Sequence, residues 1–349
     1  MNNTNRPLLN RRSFAVEHSK INDTENALNV GTESKNIDRN YISSKLMRAG
    51  EIKKCNFSIN WVVDNLIPEH AIILFYAQAG SGKSTISSQI AAAVTKGKPV
   101  FGMNTLQRHV IILDFENPAS VIKNRLNLID DSDDIIFWPS FKKPPRLDSP
   151  EWSQLIRLVE LYPNPVLIID TLGGATPNCD ISSNKDYSNV MKQFVEIRDL
   201  GATIILLHHT SKADPSKYIG ASTIVNQCDH VLALWPSNSA SKCSDTENRS
   251  DRVFRFGTGQ KTRFGHYELY VVFDEDTCSF VIADDPEKYM FQQLKEILVE
   301  NGPLNQTQII DLVKGTALEK HARQVLKKGI GYLWDEKKGP HNARIYQLI

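Results

Sequence analysis

The feature that most narrows what this chain can fold into is Ala77-Gln-Ala-Gly-Ser-Gly-Lys-Ser-Thr85, set between the apolar run Ala71 to Tyr76 and the helix-forming stretch Ile86 to Thr95. Gly80 and Gly82 allow a backbone turn tight enough to aim several N–H groups at one point, and a helix starting directly behind adds its positive dipole end. Strand, glycine turn and helix in that order predict a phosphate-binding loop formed by Ala79, Gly80, Ser81, Gly82, Lys83, Ser84 and Thr85. Lys83 is expected to reach the β- and γ-phosphates of a nucleoside triphosphate, and Ser84 to place its hydroxyl on Mg²⁺. Ala77 stands where the G-x-x-x-x-G-K-[ST] spacing has its first glycine, which is tolerable if that position has negative φ.

Three further apolar runs, His109 to Asp114, Pro165 to Asp170 and Gly201 to Leu207, alternate with helical patterns. One helix is expected with Asn117 as cap, Pro118 in its first turn and Val121, Ile122 and Leu126 inward. Others are expected from Ser149-Pro150-Glu151, with Trp152, Leu155, Ile156 and Val159 on one side, and over Tyr187 to Arg198. Ile135 to Phe137 reads as a strand, and Trp61 and Leu66 as core anchors of a lead-in, Phe57 to Pro68. This alternation predicts a mostly parallel α/β sheet, whose ligands gather at the carboxyl ends of the strands.

After Asp229 the pattern changes to strands: His230 to Trp235, Asp251 to Phe256, Glu268 to Phe273 and Ser279 to Ile282, with Ser237 to Ser250 as a loop or hairpin tip. The end of the chain reads as helices over Tyr289 to Glu300, Thr307 to Val313 and Leu318 to Gly329. They are followed by Tyr332 to Trp334, a charged tip Asp335 to Pro340, and Arg344 to Leu348, which is the grammar of a winged helix. Met1 to about Arg39 has no sustained apolar period. The expected organisation is a flexible arm (1–40), an α/β P-loop domain (41–287) with a β-rich C-terminal part, and a winged-helix domain (288–349).

The net charge of +1 conceals an uneven distribution. Lys and Arg outnumber Asp and Glu by 10 to 6 over residues 1–55 and again over 288–349, which leaves 21 basic against 28 acidic residues between them. Basic ends suit a polyanion, or are ordinary solvated faces. Five scattered cysteines without a C-x-x-C pair argue against a zinc site or a disulfide framework and for a reducing, cytoplasmic setting. No apolar run approaches the roughly 20 residues of a membrane span.

Transfer of a phosphoryl group to water needs a phosphate cradle, a metal, a group that orients the water and a sensor of the γ-phosphate. Asp170, ending its strand, is the candidate to hold Mg²⁺ through a water together with Ser84; alternatively it caps the next turn. Glu116, just beyond another strand, is the candidate to polarise the water, or else a carboxylate answering a helix dipole. His209 is the candidate γ-phosphate sensor, with an ordinary buried histidine as the alternative.

The ordered set Ala77 to Thr85, Leu113-Asp-Phe-Glu-Asn117, Ile168-Ile-Asp170, Leu206-Leu-His-His-Thr210 and Gly259-Gln-Lys-Thr-Arg-Phe-Gly265 resembles the RecA/DnaB class of ring- or filament-forming ATPases, most closely the plasmid RepA-like hexameric helicase branch. The resemblance, over roughly residues 57–282, implies a RecA-like core that hydrolyses ATP with Mg²⁺, Glu116 as catalytic base and His209 as γ-phosphate sensor. It also implies that Lys261 and Arg263 form a basic finger acting on the neighbouring subunit's nucleotide. Two departures stand out: Ile219, where this branch often carries an arginine, and a first 55 residues too short for a primase- or DnaB-type N-terminal domain.

The function so implied is an ATP-hydrolysing, oligomeric motor on DNA: a hexameric replicative helicase of a plasmid, phage or other mobile element. Loops 176–186 and 211–218, with Lys212 and Lys217, would line a channel for single-stranded DNA. The winged helix would meet duplex DNA through Lys320, Arg323, Lys327 and Lys328. The alternatives are a DNA-binding regulator that uses ATP to set its assembly state, and a recombination or repair ATPase.

Overall fold

The computed structural model describes residues 44–129, 132–211, 214, 216–237, 253–316, 318–319 and 321–349. The expected arm 1–40, Lys212, Lys320 and all but Ser237 of the expected tip 237–250 lie outside the described residues. The chain divides into two compact units, 1–58 and 59–349. In the first, a helical turn α1 (Ala49–Ile52) leaves Leu46, Met47 and Ile52 exposed.

The second unit opens with a small hairpin, β1 (Trp61–Val63) and β2 (Ile67–Pro68), and continues with β3 (Ile72–Ala77), α2 (Lys83–Lys96), β4 (Val110–Asp114), α3 (Ala119–Asn127) and β5 (Ile136–Trp138). Then come α4 (Gln154–Leu161), β6 (Val166–Asp170), the turn α5 (Leu172–Ala175), α6 (Asn184–Asp199), β7 (Thr203–His209), α7 (Ser222–Gln227) and β8 (His230–Pro236). Three longer strands follow: β9 (Val253–Thr262), β10 (Glu268–Asp274) and β11 (Ser279–Ala283). They form one nine-stranded sheet in the order β11-β10-β9-β8-β3-β7-β6-β4-β5. The strands from β8 to β5 in that order run parallel, and β9, β10 and β11 extend the sheet antiparallel.

Strand β3 lies inside this sheet with every residue buried, because it pairs with β7 on one side and β8 on the other. Its alternation divides the core. Ile73, Phe75 and Ala77 join the cluster that contains Ile86 and Ile90 of α2, while Ile72, Leu74 and Tyr76 join the one that contains Tyr187, Met191 and Phe194 of α6. The fold is therefore a mixed α/β sheet with a RecA-like core and a β-rich C-terminal part.

Local expectations shift in instructive ways. Pro118, not Asn117, is the cap of α3, and Val121 is exposed while Ile122 is buried, so the inward stripe is narrower than its apolar residues suggest. Ser149 caps a 3-10 turn, Pro150–Ser153, ahead of α4. Leu66 is fully buried and Trp61 packs edge-on against Phe264.

The chain ends with α8 (Pro286–Asn301), β12 (Leu304–Asn305), α9 (Gln306–Leu312), α10 (Ala322–Gly329), β13 (Trp334–Lys338) and β14 (Arg344–Leu348), the strands ordered β12-β14-β13. Leu294, Leu298, Ile309, Leu326, Trp334 and Tyr346 form its own core. Trp334 lies over Gly329, where an added Cβ would meet the ring at 2.3 Å, and its indole N–H donates to the Leu326 carbonyl at 2.8 Å. The expected charged tip is displaced: Asp335 to Lys338 belong to β13, and the reversal lies over 339–343.

Candidate functional site

At the carboxyl end of the parallel strands, the loop after β3 faces the ends of β4, β6 and β7 across a cleft of about 240 Å³. Gly80 and Gly82 have φ of 76° and 102°, in the left-handed region where glycine is needed. The Ser81 hydroxyl donates to the Gln78 carbonyl at 2.7 Å and its N–H donates to the same oxygen at 3.2 Å, holding the turn. Ala77 is fully buried in β3, in register with His209, and its φ is not positive. The turn begins after it, so the methyl stands in a strand that needs no glycine.

Lys83, Ser84, Glu116, Asp170 and His209 all line this cleft, with Gln78, Ala79, Gly80, Gly82 and Thr85 of the loop. Ser81 is buried behind it. Lys83 is only 6% exposed; burial pulls its ammonium below the usual lysine range, against the attraction of Asp170 and Glu116. Asp170 is 4% exposed. Burial first, and the Asp114 carboxylate second, push it up to about 6, while hydrogen bonding to Ser84 and the charges of Arg125 and Lys83 oppose that rise. Burial holds His209 below its ordinary value, as does Lys83, and its Nδ1 is buried without a hydrogen-bond partner.

Ser84 and Asp170 thus present hydrogen-bonded oxygens beside a second buried carboxylate, Asp114. Hard oxygen donors of this kind fit Mg²⁺, whose charge would offset the repulsion of two carboxyl groups held together in a buried site.

Glu116 is positioned by residues that the sequence pattern did not single out. Asp114 accepts through Oδ1 from the N–H groups of Glu116 at 3.0 Å and Asn117 at 2.8 Å, and through Oδ2 from Asn117 Nδ2 at 2.8 Å. The Thr171 hydroxyl donates to Glu116 Oε1 and accepts from the Gly174 N–H at 3.2 Å. Gly174 lets this happen: a Cβ there would stand 3.0 Å from Phe115 Cβ and 3.2 Å from Glu116 Cγ. Arg125 of α3 also lines the cleft. The signal for Asp114 and Thr171 was present in the D-x-E and D-T pairs at two strand ends; Arg125 looked like any basic residue on an amphipathic helix.

Lys261 and Arg263 line no part of this cleft. Lys261 Nζ donates to the carbonyls of Val225, Asn226 and Cys228, at 3.1, 2.8 and 2.7 Å, at the end of α7. Arg263 pairs with Asp229 at 3.0 Å, with its side chain 61% exposed. Next to the cleft, the strand ends are tied to the following loop. Tyr76 Oη donates to the Ser216 carbonyl at 3.0 Å, the Ile219 N–H donates to the His209 carbonyl at 3.0 Å, and His208 Nε2 lies 2.7 Å from the Ile219 carbonyl.

Residues 43–215, which span the loop and all the parallel strands through β7, match the family model described as AAA domain. The chain carries a P-loop ATPase domain of the RecA/DnaB class. Among solved structures, this ATPase is similar to one that is itself an ATPase domain, at 13% identity over 71% of this chain and 99% of that one, with a TM-score of 0.49. It is also similar to a DnaB-like replicative helicase described with its interactions with primase (13% identity, 73% and 68% covered, TM-score 0.49). A third is a KaiC-like protein, PH0186, from the archaeon Pyrococcus horikoshii OT3 (14% identity, 65% and 100% covered, TM-score 0.47). No curated protein matches the sequence of the ATPase. Among the described residues, no helix is long and apolar enough to cross a membrane.

Proposed function

We propose that this ATPase is an oligomeric, DNA-dependent motor, a hexameric replicative helicase of a plasmid, phage or other mobile element. The observation that carries the reading is the division of its candidate catalytic groups. Lys83, Ser84, Glu116, Asp170 and His209 share one cleft, while Arg263 lies outside it with its side chain largely exposed. A site of this kind is completed by a cation from a neighbouring subunit, which neutralises charge as it develops on the transferring phosphoryl group.

In this reading water attacks the γ-phosphorus of ATP, the bond to the β–γ bridging oxygen breaks, and ADP and phosphate leave. Glu116, fixed by Asp114 and Thr171, takes the proton of the water. Lys83 and the loop N–H groups hold the phosphates, His209 contacts the γ-phosphate, and Arg263 with Lys261 acts on the neighbour's nucleotide. Mg²⁺, held by Ser84 and, through water, by Asp170, would supply charge neutralisation at the phosphate oxygens.

Loop 211–218, hydrogen-bonded to the ends of β3 and β7, is suited to transmit the state of the nucleotide to single-stranded DNA through Lys217. Residues 288–349 serve as a winged helix, meeting duplex DNA with Arg323, Lys327 and Lys328, all exposed on α10. The test is hydrolysis with and without single-stranded DNA, and strand separation on a forked duplex. The wild type is expected to be stimulated and to unwind, and Lys83→Ala to do neither. Slow hydrolysis indifferent to DNA, without unwinding, would favour an ATP-controlled regulator.

A further inference from the structure

Between β5 and α4 the chain presents Phe141, Lys142 and Lys143 on a short, braced loop outside the nucleotide cleft. The Phe141 ring is 58% exposed, and both lysines are exposed with no ion-pair partner among the described residues. The loop is held from several sides. Ser140 Oγ donates to the Asn117 carbonyl at 2.7 Å, and Trp138 Nε1 donates to the Lys142 carbonyl at 3.2 Å. Lys143 adopts a left-handed φ of 51°, between Pro139 on one side and buried Pro144 and Pro145 on the other. An exposed aromatic ring on a prearranged loop is a surface prepared before its partner arrives, because little conformational freedom remains to be lost on binding.

We propose that Phe141, Lys142 and Lys143 form a contact for single-stranded nucleic acid, with the Phe141 ring stacking on a base and the two ammonium groups on adjacent phosphates. An aromatic face beside cations is the pairing that grips a single strand without regard to sequence. The rival occupant is a second copy of the chain, since Phe141 also borders an apolar groove formed by Ile122, Leu126 and Phe137. The lysine pair favours the nucleic acid, because the cores of protein interfaces are depleted in lysine. The loop follows β5 and so is separate from loops 176–186 and 211–218. Strand β5 ends at the same edge of the sheet as the nucleotide loop, and Ser140 joins it to the turn that carries Glu116.

The inference rests on the DNA-dependent reading above, and one experiment separates the two. Binding of a fluorescein-labelled oligothymidylate to the full chain is followed by anisotropy across a salt series, with self-association followed by sedimentation velocity. Phe141→Ala is expected to raise Kd about 5- to 150-fold, the range set by loss of one base–aromatic stack. Phe141→Trp should restore binding. Lys142→Ala with Lys143→Ala should lower the salt slope by about 1.4, the value for two phosphates of a single strand that are no longer neutralised. A wild type that binds and variants that match it would overturn the loop assignment alone, as would variants that lose self-association while each assembled form binds the oligonucleotide normally. A wild type that binds no single strand would overturn the loop assignment and the DNA-dependent reading together.

Discussion

Glu116 is held through its own backbone N–H by Asp114 and through its carboxylate by Thr171, so its orientation is set by neighbours rather than by its own side-chain freedom. Glu116→Gln keeps the shape and the Thr171 contact but removes the base. Hydrolysis is expected to fall by about 10²- to 10⁴-fold with nucleotide binding retained, as measured by steady-state phosphate release and by titration with a fluorescent ATP analogue. Asp170 carries a pH prediction. Its folded-state value, pushed up to about 6 from 3.8, means that the folded chain keeps a proton that the unfolded chain has released. Its contribution to stability is therefore fully present below 3.8 and is lost as pH rises through about 6. Binding of Mg²⁺ must displace that proton, so the apparent affinity for Mg²⁺-nucleotide is expected to fall about tenfold per pH unit below about 6. Asp170→Asn should flatten the profile, and a flat profile in the wild type would contradict the assignment.

At the scale of elements, β11 reaches back over the start of α2. Gln89 donates through Nε2 to the Phe280 carbonyl at 2.8 Å and accepts from the Phe280 N–H at 3.1 Å. The Phe280 ring fills the space beside Gly82, where an added Cβ would stand 2.5 Å away. The antiparallel extension of the sheet therefore braces the nucleotide loop. Gln89→Ala, which leaves the Phe280 amide groups unpaired, is expected to destabilise the fold by about 1–3 kcal/mol, read from the midpoint of urea unfolding. Gly174→Ala should act differently. Its methyl would crowd Phe115 and Glu116, so hydrolysis should fall with little change in nucleotide affinity; a variant with wild-type turnover would remove the role given to that close approach.

The same elements explain what the sequence made readable. Lys83, Ser84, Asp170 and His209 stand at the ends of short apolar runs, and a parallel sheet brings such ends to one edge, so period and spacing were enough to group them. Thr171, Gly174 and Arg125 were less visible because their importance comes from packing across elements. Strand β9 runs to Thr262, further than its apolar residues extend, because Gly257 to Thr262 are placed by pairing with β8 rather than by burial. The charged run Asp335 to Lys338 has the composition of a turn, yet pairing with β14 draws it into a strand whose side chains are largely exposed.

For the whole molecule, the uneven charge and the C-terminal helices and strands belong together. Replacing Arg323, Lys327 and Lys328 with alanine should weaken duplex binding and lower its salt slope by about 0.9 for each phosphate no longer neutralised, with single-strand-stimulated hydrolysis retained. Lys328 also pairs with Glu287 at the start of α8, so Lys328→Ala alone separates a DNA effect from a local one if its thermal stability is followed in parallel. Arg263 is placed for work between subunits by its exposure and by Asp229, which also accepts from the Ile72 N–H at 3.0 Å and from Arg198 at 3.1 Å. The most direct measurement mixes two inactive variants, Lys83→Ala with its Arg263 intact and Arg263→Ala with its Lys83 intact, and follows phosphate release on single-stranded DNA. Each alone should be inactive, and the mixture should regain hydrolysis wherever an intact cleft meets an intact Arg263. Full activity of Arg263→Ala on its own, or no recovery from mixed assemblies that demonstrably form, would contradict a site shared between neighbours.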